Sequence, residues 1–91
     1  MDNDLYKRVQ ETRSQFLKVE LQTCFTALEM GIFEFTLGNI DIAQREAQSV
    51  DKGIQVIERF LPGLPEEQEP AVAAQLAELK EKLGSFKAIL A

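Results

Sequence analysis

The sequence predicts an all-α, antiparallel three-helix bundle, with a long helix over residues 4–37 and shorter helices over 40–61 and 70–90. Two observations carry this prediction. Apolar residues recur at alternating spacings of three and four in all three segments, which is the period of a helix with one buried face. Glycine and proline separate the segments, at Gly38 and within Leu61–Pro65. No segment shows the period of two that is typical of strands.

The predicted first helix carries two apolar stripes. The first stripe keeps the alternating spacing along the whole helix, which predicts packing nearly parallel to a partner helix. It comprises Leu5, Val9, Thr12, Phe16, Val19, Thr23, Thr26, Met30, Phe33 and Leu37. The second stripe lies further round the helix and comprises Leu17, Leu21, Cys24, Leu28, Ile32 and Phe35, with Phe25 beside it. A helix with two apolar faces is expected to contact more than one neighbour. Gly31, inside this helix, either allows close packing or marks a bend.

The second and third helices each show one apolar stripe. Gly38 ends the first helix, and the connection that follows is so short that the two helices must form an antiparallel hairpin. Asn39 or Asp41 is expected to cap the second helix. The prolines after Leu61 stop the second helix, and Pro70 suits the first turn of the third. The two stripes comprise Ile40, Ala43, Ala47, Val50, Ile54, Ile57 and Leu61, followed by Val72, Leu76, Leu79, Leu83, Phe86 and Leu90.

The helix lengths predict an asymmetric bundle. At about 1.5 Å per residue, the first helix is roughly 50 Å long and the other two roughly 30 Å each. The second helix therefore returns only to about the level of Phe16. We expect residues 4–15 to overhang unless the third helix or another chain covers them.

Composition restricts the class of function. The chain has 91 residues, 45% of them hydrophobic and 27% charged, which is typical of a single folded domain over residues 1–91. Its net charge is −5 and its basic residues are scattered, so we expect neither nucleic-acid nor membrane binding. There is one cysteine, and neither a signal-peptide pattern nor a long apolar run is present, so the expected location is cytoplasmic.

The sequence offers no recognisable catalytic, cofactor-binding or metal site. Histidine is absent, which removes the commonest general base and metal ligand. Cys24 has no base near it in the pattern and is expected to be a core or interface thiol. Glu29 and Glu34 are five residues apart and do not share a helix face. We therefore expect that the chain is not an enzyme and needs no cofactor.

Residues around the hairpin resemble one repeat of the tetratricopeptide family. Met30-Gly31, Gly38-Asn39 and Ala43 match the order and spacing of the apolar, glycine and small positions of that repeat. Ala27, Glu34 and Ala47 stand where the family has aromatic residues. A hairpin followed by one more helix also resembles the microtubule-interacting-and-trafficking type of three-helix domain. Both resemblances imply protein–protein interaction through a groove between helices, without a cofactor.

The second stripe is the candidate interaction surface. One interpretation makes it core. The other holds that Leu17, Leu21, Phe25, Leu28, Ile32 and Phe35 exceed what two shorter helices can cover, and so form a homodimer seam or a partner groove. The predicted function is a small module for protein–protein interaction or self-association, with a protein or a second copy as partner. The alternative is a regulatory bundle that binds a small apolar ligand between its helices.

Overall fold

A computed structural model describes residues 2–91, with the side chains described from Asn3 onward. It contains three α-helices, α1 (Asp2–Thr36), α2 (Ile40–Phe60) and α3 (Glu69–Leu90), and one turn of 3-10 helix at Leu61–Gly63. Over residues 2–91 there is no strand. The all-α, three-helix prediction is confirmed, and each helix begins and ends within two residues of its predicted bounds. The molecule is elongated, measuring 56 × 17 × 16 Å.

A tight turn at Gly38 reverses the chain between α1 and α2. Gly38 has a φ of +84°, which a glycine adopts without steric cost. Its N–H donates to Phe35 O at 3.0 Å, and the N–H of Asn39 donates to Glu34 O at 2.9 Å, so the turn has the hydrogen bonds of a Schellman motif. The Asn39 side chain donates to the Glu34 carboxylate at 2.6 Å and makes no capping hydrogen bond to α2. Asn39 therefore stands at the N-cap position, as predicted, but its side chain does not cap α2, and Asp41 lies inside the first turn.

The length asymmetry appears as predicted at the end of α2. Phe60, the last residue of α2, packs edge to face against Phe16 with ring centroids 5.7 Å apart. The connection to α3 then covers part of the expected overhang, because Pro65 and Gln68 line a hollow together with Gln10, and Ser14 and Leu64 are buried. Residues 3–9 are all exposed. The overhang is therefore shorter than the predicted 4–15.

The core is formed by one face of each helix, and α1 contributes its second stripe. The fully or almost fully buried residues of α1 are Leu17, Leu21, Cys24 and Leu28. They pack with the predicted stripes of α2 and α3, whose buried members are Ala43, Ala47, Val50, Ile54, Ile57, Val72, Leu76, Leu79, Leu83 and Phe86. Exposed ion pairs between Lys80 and Glu58 and between Lys87 and Asp51 join α3 to α2.

The first stripe of α1 faces away from this core. All ten of its residues are exposed, although Phe16 also contacts Phe60 at the end of α2. The two stripes differ in composition, since the first includes three threonines and the second has none. Burying the second stripe removes more apolar surface from water and leaves fewer hydroxyl groups to satisfy, which explains why it forms the core.

Candidate functional site

A groove between α1 and α3 contains four of the six predicted interaction residues. It encloses about 620 Å³ and is lined on one side by α1 and on the other by the second half of α3. On the α1 side it extends from Phe25 to Phe35, which corresponds to about 15 Å of helix. We call this surface the α1/α3 groove. Its lining residues are Phe25, Leu28, Glu29, Ile32, Phe35, Glu78, Glu81, Lys82, Ser85, Phe86 and Ile89.

The six predicted interaction residues separate into two groups. Leu17, Leu21 and Leu28 are at most 2% exposed and belong to the core, so a partner cannot reach most of their surface. For these three, the interpretation of the second stripe as core is the one that the burial supports. Phe25, Ile32 and Phe35 all line the α1/α3 groove. Ile32 is 43% exposed, whereas Phe25 and Phe35 are half-buried against the core.

The floor of the groove depends on Gly31. A Cβ atom at this position would lie 3.0 Å from Phe86 Cε2 and 3.1 Å from Glu46 Cβ, so the missing side chain lets the Phe86 ring approach α1. Phe86 in turn packs edge to face against Phe35, with ring centroids 6.2 Å apart. Gly31 therefore serves close packing, and α1 continues through it as a helix.

The rim of the groove is mostly acidic. Lys82 Nζ pairs with the Glu78 carboxylate at 3.1 Å and lies 5.6 Å from the centroid of the Phe25 ring, a cation–π distance. Glu29 and Glu81 also line the groove and form no ion pair with any described residue. The groove therefore combines an apolar floor with a net negative rim.

Sequence reasoning missed the α3 side of the groove. The stripe of α3 correctly includes Phe86, but Ile89 and Ser85 lie outside it and nonetheless face the groove. Ile89 is 59% exposed and lies one position before Leu90, the last member of that stripe. An isoleucine placed next to, but not within, a core stripe is the signal that could have indicated a second apolar surface.

The described residues offer little reactive chemistry. Among residues 2–91 no group of three or more Cys, Asp or Glu side chains is arranged to hold a metal ion. Cys24 is buried, and burial raises the pKa of its thiol, with the Glu20 carboxylate adding to the effect. A thiol with a raised pKa is a weaker nucleophile at neutral pH. The long helices also lack the apolar length that crossing a bilayer requires, over the part of the chain described.

Comparison with known proteins gives no family assignment. No family model matches the sequence, and no curated protein or solved structure matches it significantly. The resemblances to the tetratricopeptide and microtubule-interacting-and-trafficking types stay predictions.

Proposed function

We propose that this chain is a small, non-catalytic module for protein–protein interaction that binds an amphipathic helix of a protein partner in the α1/α3 groove. The observation that carries the proposal is an open apolar groove between two helices, with the half-buried Phe25 and Phe35 and the exposed Ile32 along one wall. Helix-in-groove recognition needs such a channel, because the ligand inserts side chains from positions i, i+3 or i+4, and i+7 of one face.

The dimensions and charge of the groove suggest the chemistry of the partner. A length of about 15 Å matches roughly ten residues of helix, which is enough for three apolar anchors. Glu29 and Glu81 at the rim favour lysine or arginine beside those anchors. The proposed partner segment is therefore a short helix with one apolar stripe and basic flanks. The single free cysteine is also compatible with a reducing compartment, and we propose a cytoplasmic location.

A selection from displayed helical peptides tests this function. Peptides of about 12 residues, long enough for three helical turns, would vary the apolar stripe and carry either basic or acidic flanks. We expect enrichment of basic-flanked sequences and micromolar binding by fluorescence anisotropy. Ile32→Glu should raise the dissociation constant of an enriched peptide at least about tenfold, which corresponds to about 1.4 kcal/mol.

Ile42→Glu is the matched control. Ile42 is 40% exposed, close to the 43% of Ile32, but it lies near the α1–α2 turn, outside the groove. It should leave peptide binding unchanged. Equal loss of binding in both variants, or no enrichment of any helical peptide, contradicts the proposal.

The groove also has a volume within the range of small-molecule sites, and its lining is largely apolar. Binding of a small apolar ligand is therefore the second candidate function. Native mass spectrometry of the purified protein distinguishes the two. A copurified apolar molecule that Ile32→Glu displaces would favour the ligand, and a bare chain that binds the selected peptides would favour the helix.

A further inference from the structure

The larger part of the exposed apolar surface lies outside the α1/α3 groove. Thirteen large hydrophobic residues of the described chain are exposed, and seven of them belong to the first stripe of α1. The groove accounts for two, Ile32 and Ile89. The seven stripe residues are Leu5, Val9, Phe16, Val19, Met30, Phe33 and Leu37. An unpartnered surface of this extent on a small chain indicates an interface.

The spacing of the first stripe is that of a coiled-coil seam. Its ten members alternate in steps of four and three from Leu5 to Leu37 without interruption, which makes them the a and d positions of successive heptads. Such a seam is complementary to a second helix that carries the same repeat. At about 1.5 Å per residue it is roughly 48 Å long, about as long as the molecule itself.

We propose that the first stripe is the interface of a homodimer in which the α1 helices of two copies pack antiparallel. The two-fold axis would pass at the level of Leu21. In this alignment Leu5 faces Leu37 of the other copy, and Val9 faces Phe33. The remaining layers pair Thr12 with Met30, Phe16 with Thr26, and Val19 with Thr23.

The three threonines favour this orientation. In the antiparallel alignment each threonine faces a larger apolar residue, namely Met30, Val19 or Phe16. A parallel alignment in register would place each threonine opposite its own copy, which pairs three sets of hydroxyl groups in the seam. The parallel alignment would also place Phe16 against Phe16 and leave space unfilled in the layers of threonine. Packing is best where large and small residues face each other.

Charge supports the same orientation. Residues 5–18 contain four bases and one acid, whereas residues 19–37 contain three acids and no base. An antiparallel pair brings the basic half of each α1 beside the acidic half of the other. A parallel pair brings like charges together along the whole length, which is unfavourable.

The shape of the seam supplies a third argument. A shallow hollow of about 420 Å³ lies across it, lined by Val19, Gln22, Thr23, Thr26, Ala27, Met30 and Glu46. The hollow exists because residues 23, 26 and 27 are small. In the antiparallel alignment, Phe16 of the other copy lies opposite Thr26 and would fill this hollow as a knob fills a hole. The two-fold symmetry repeats the contact on the other side of the axis.

The length of the seam gives it the area of a small specific interface. A strip roughly 48 Å long and about 10 Å wide would bury roughly 500 Å² per copy, or about 1,000 Å² in total. This figure treats the strip as flat and leaves out the extra area of protruding side chains. This reaches the lower bound for a specific interface. The α2 and α3 helices bury the second stripe of α1 and leave all ten residues of the first stripe exposed, with Glu46 of α2 at the border of the hollow and Phe60 of α2 beside Phe16.

Sedimentation velocity, run from about 5 to about 500 µM, tests the association, because this range brackets a micromolar dissociation constant. We expect a monomer–dimer equilibrium for the unmodified chain. Phe33→Glu should raise the dimer dissociation constant on the order of a hundredfold, since each dimer carries the substitution twice. Its far-ultraviolet circular dichroism should stay unchanged, because Phe33 is 57% exposed in the single chain.

Ile32→Glu is the matched control for this surface. It is adjacent in sequence to Phe33 but faces the groove, so it should leave the dimer intact while weakening binding of the groove peptides at least about tenfold. Phe33→Glu should do the reverse. The two measurements can therefore contradict the homodimer and the groove-binding function independently of each other. A chain that stays monomeric at about 500 µM, or a Phe33→Glu variant that dimerises like the unmodified chain, overturns the homodimer.

Cross-linking tests the orientation. Thr12→Cys and Met30→Cys chains, mixed and oxidised, should form a covalent dimer between positions 12 and 30. Thr12→Cys alone should form little, because position 12 faces Met30 of the other copy and not itself. The buried Cys24 stays in place, and peptide mapping identifies the bonded residues. Efficient cross-linking of Thr12→Cys alone would overturn the antiparallel alignment.

Discussion

Gly53 of α2 lies directly against the thiol of Cys24 in α1. A Cβ atom added at Gly53 would overlap Cys24 Sγ, whereas the Cys24 Cβ would lie 4.0 Å away, an ordinary contact. The glycine and the cysteine are therefore complementary in size, and the pair brings the axes of α1 and α2 close together. Ala43 and Ala47, buried along the same face of α2, extend this close approach towards the turn.

Gly53→Ala should destabilise the protein. The new methyl group cannot coexist with the Cys24 thiol in its present position, and overpacking a buried contact costs about 1–3 kcal/mol. Urea unfolding followed by circular dichroism measures the change. In a Cys24→Ala background the clash is absent, so Gly53→Ala should become neutral or stabilising there, since alanine favours a helix over glycine by about 1 kcal/mol. Additive effects of the two substitutions would contradict the proposed contact.

Gly84→Ala should have the opposite effect. Gly84 lies inside α3, is exposed, and has no atom within 4 Å of the position where a Cβ would stand. The substitution therefore adds helix propensity without steric conflict. We expect a gain of about 0.5–1 kcal/mol in the free energy of unfolding. The same urea titration serves as the measurement, and a loss of stability would show that α3 is packed differently around this residue.

Gly38→Ala tests the turn between α1 and α2. The φ of +84° at this position disfavours any residue with a Cβ, although there is space for one. We expect a loss of about 1–2 kcal/mol from backbone strain alone. Gly38→Asn should lose less, because asparagine tolerates the left-handed region. If both substitutions cost the same, the loss would come from something other than the backbone conformation.

The thiol of Cys24 should make the stability of the protein depend on alkaline pH. Burial, with a contribution from Glu20, raises its pKa in the folded state above the value in the unfolded chain. The folded state therefore prefers the protonated thiol. The contribution of this preference to the free energy of unfolding is fully present below the pKa of the unfolded thiol and is lost as pH rises through the folded pKa. Urea unfolding at pH 7 and pH 10 should show that the free energy of unfolding falls more for the unmodified chain than for Cys24→Ala. Equal decreases in the two proteins would contradict a role of the thiol.

The sequence predicted where the helices begin and end more successfully than which face of α1 is buried. The three-and-four spacing and the breaks at Gly38 and Pro62 determine where helices begin and end, because these depend on local chemistry. The choice between the two stripes of α1 depends on tertiary packing. Periodicity alone predicted that the longer first stripe packs against a partner helix. The high density of leucine at Leu17, Leu21 and Leu28 was the better indicator of the stripe that forms the core.

The groove illustrates a second reason why the site was only partly predictable. Its α1 wall contains Phe25, Ile32 and Phe35, which an excess of apolar residues on one helix was enough to indicate. Its α3 wall depends on how closely α3 approaches α1, and that distance is determined by Phe86 resting on Gly31. A close approach between residues far apart in sequence has no signature in the spacing of either helix.

Neutralising the rim of the groove should change the selectivity of peptide binding. Glu29 and Glu81 line the groove without an ion pair among the described residues, so the double variant Glu29→Gln with Glu81→Gln removes two negative charges while keeping the shape. For a basic-flanked peptide selected on the unmodified chain, we expect about a three- to tenfold weaker affinity at low salt, since rim ion pairs contribute up to about 1 kcal/mol. The difference should shrink at about 0.5 M salt, where screening shortens the range of these interactions. Fluorescence anisotropy at the two salt concentrations measures both effects. A double variant that binds the basic peptide as tightly as the unmodified chain at low salt would show that the apolar floor alone determines recognition.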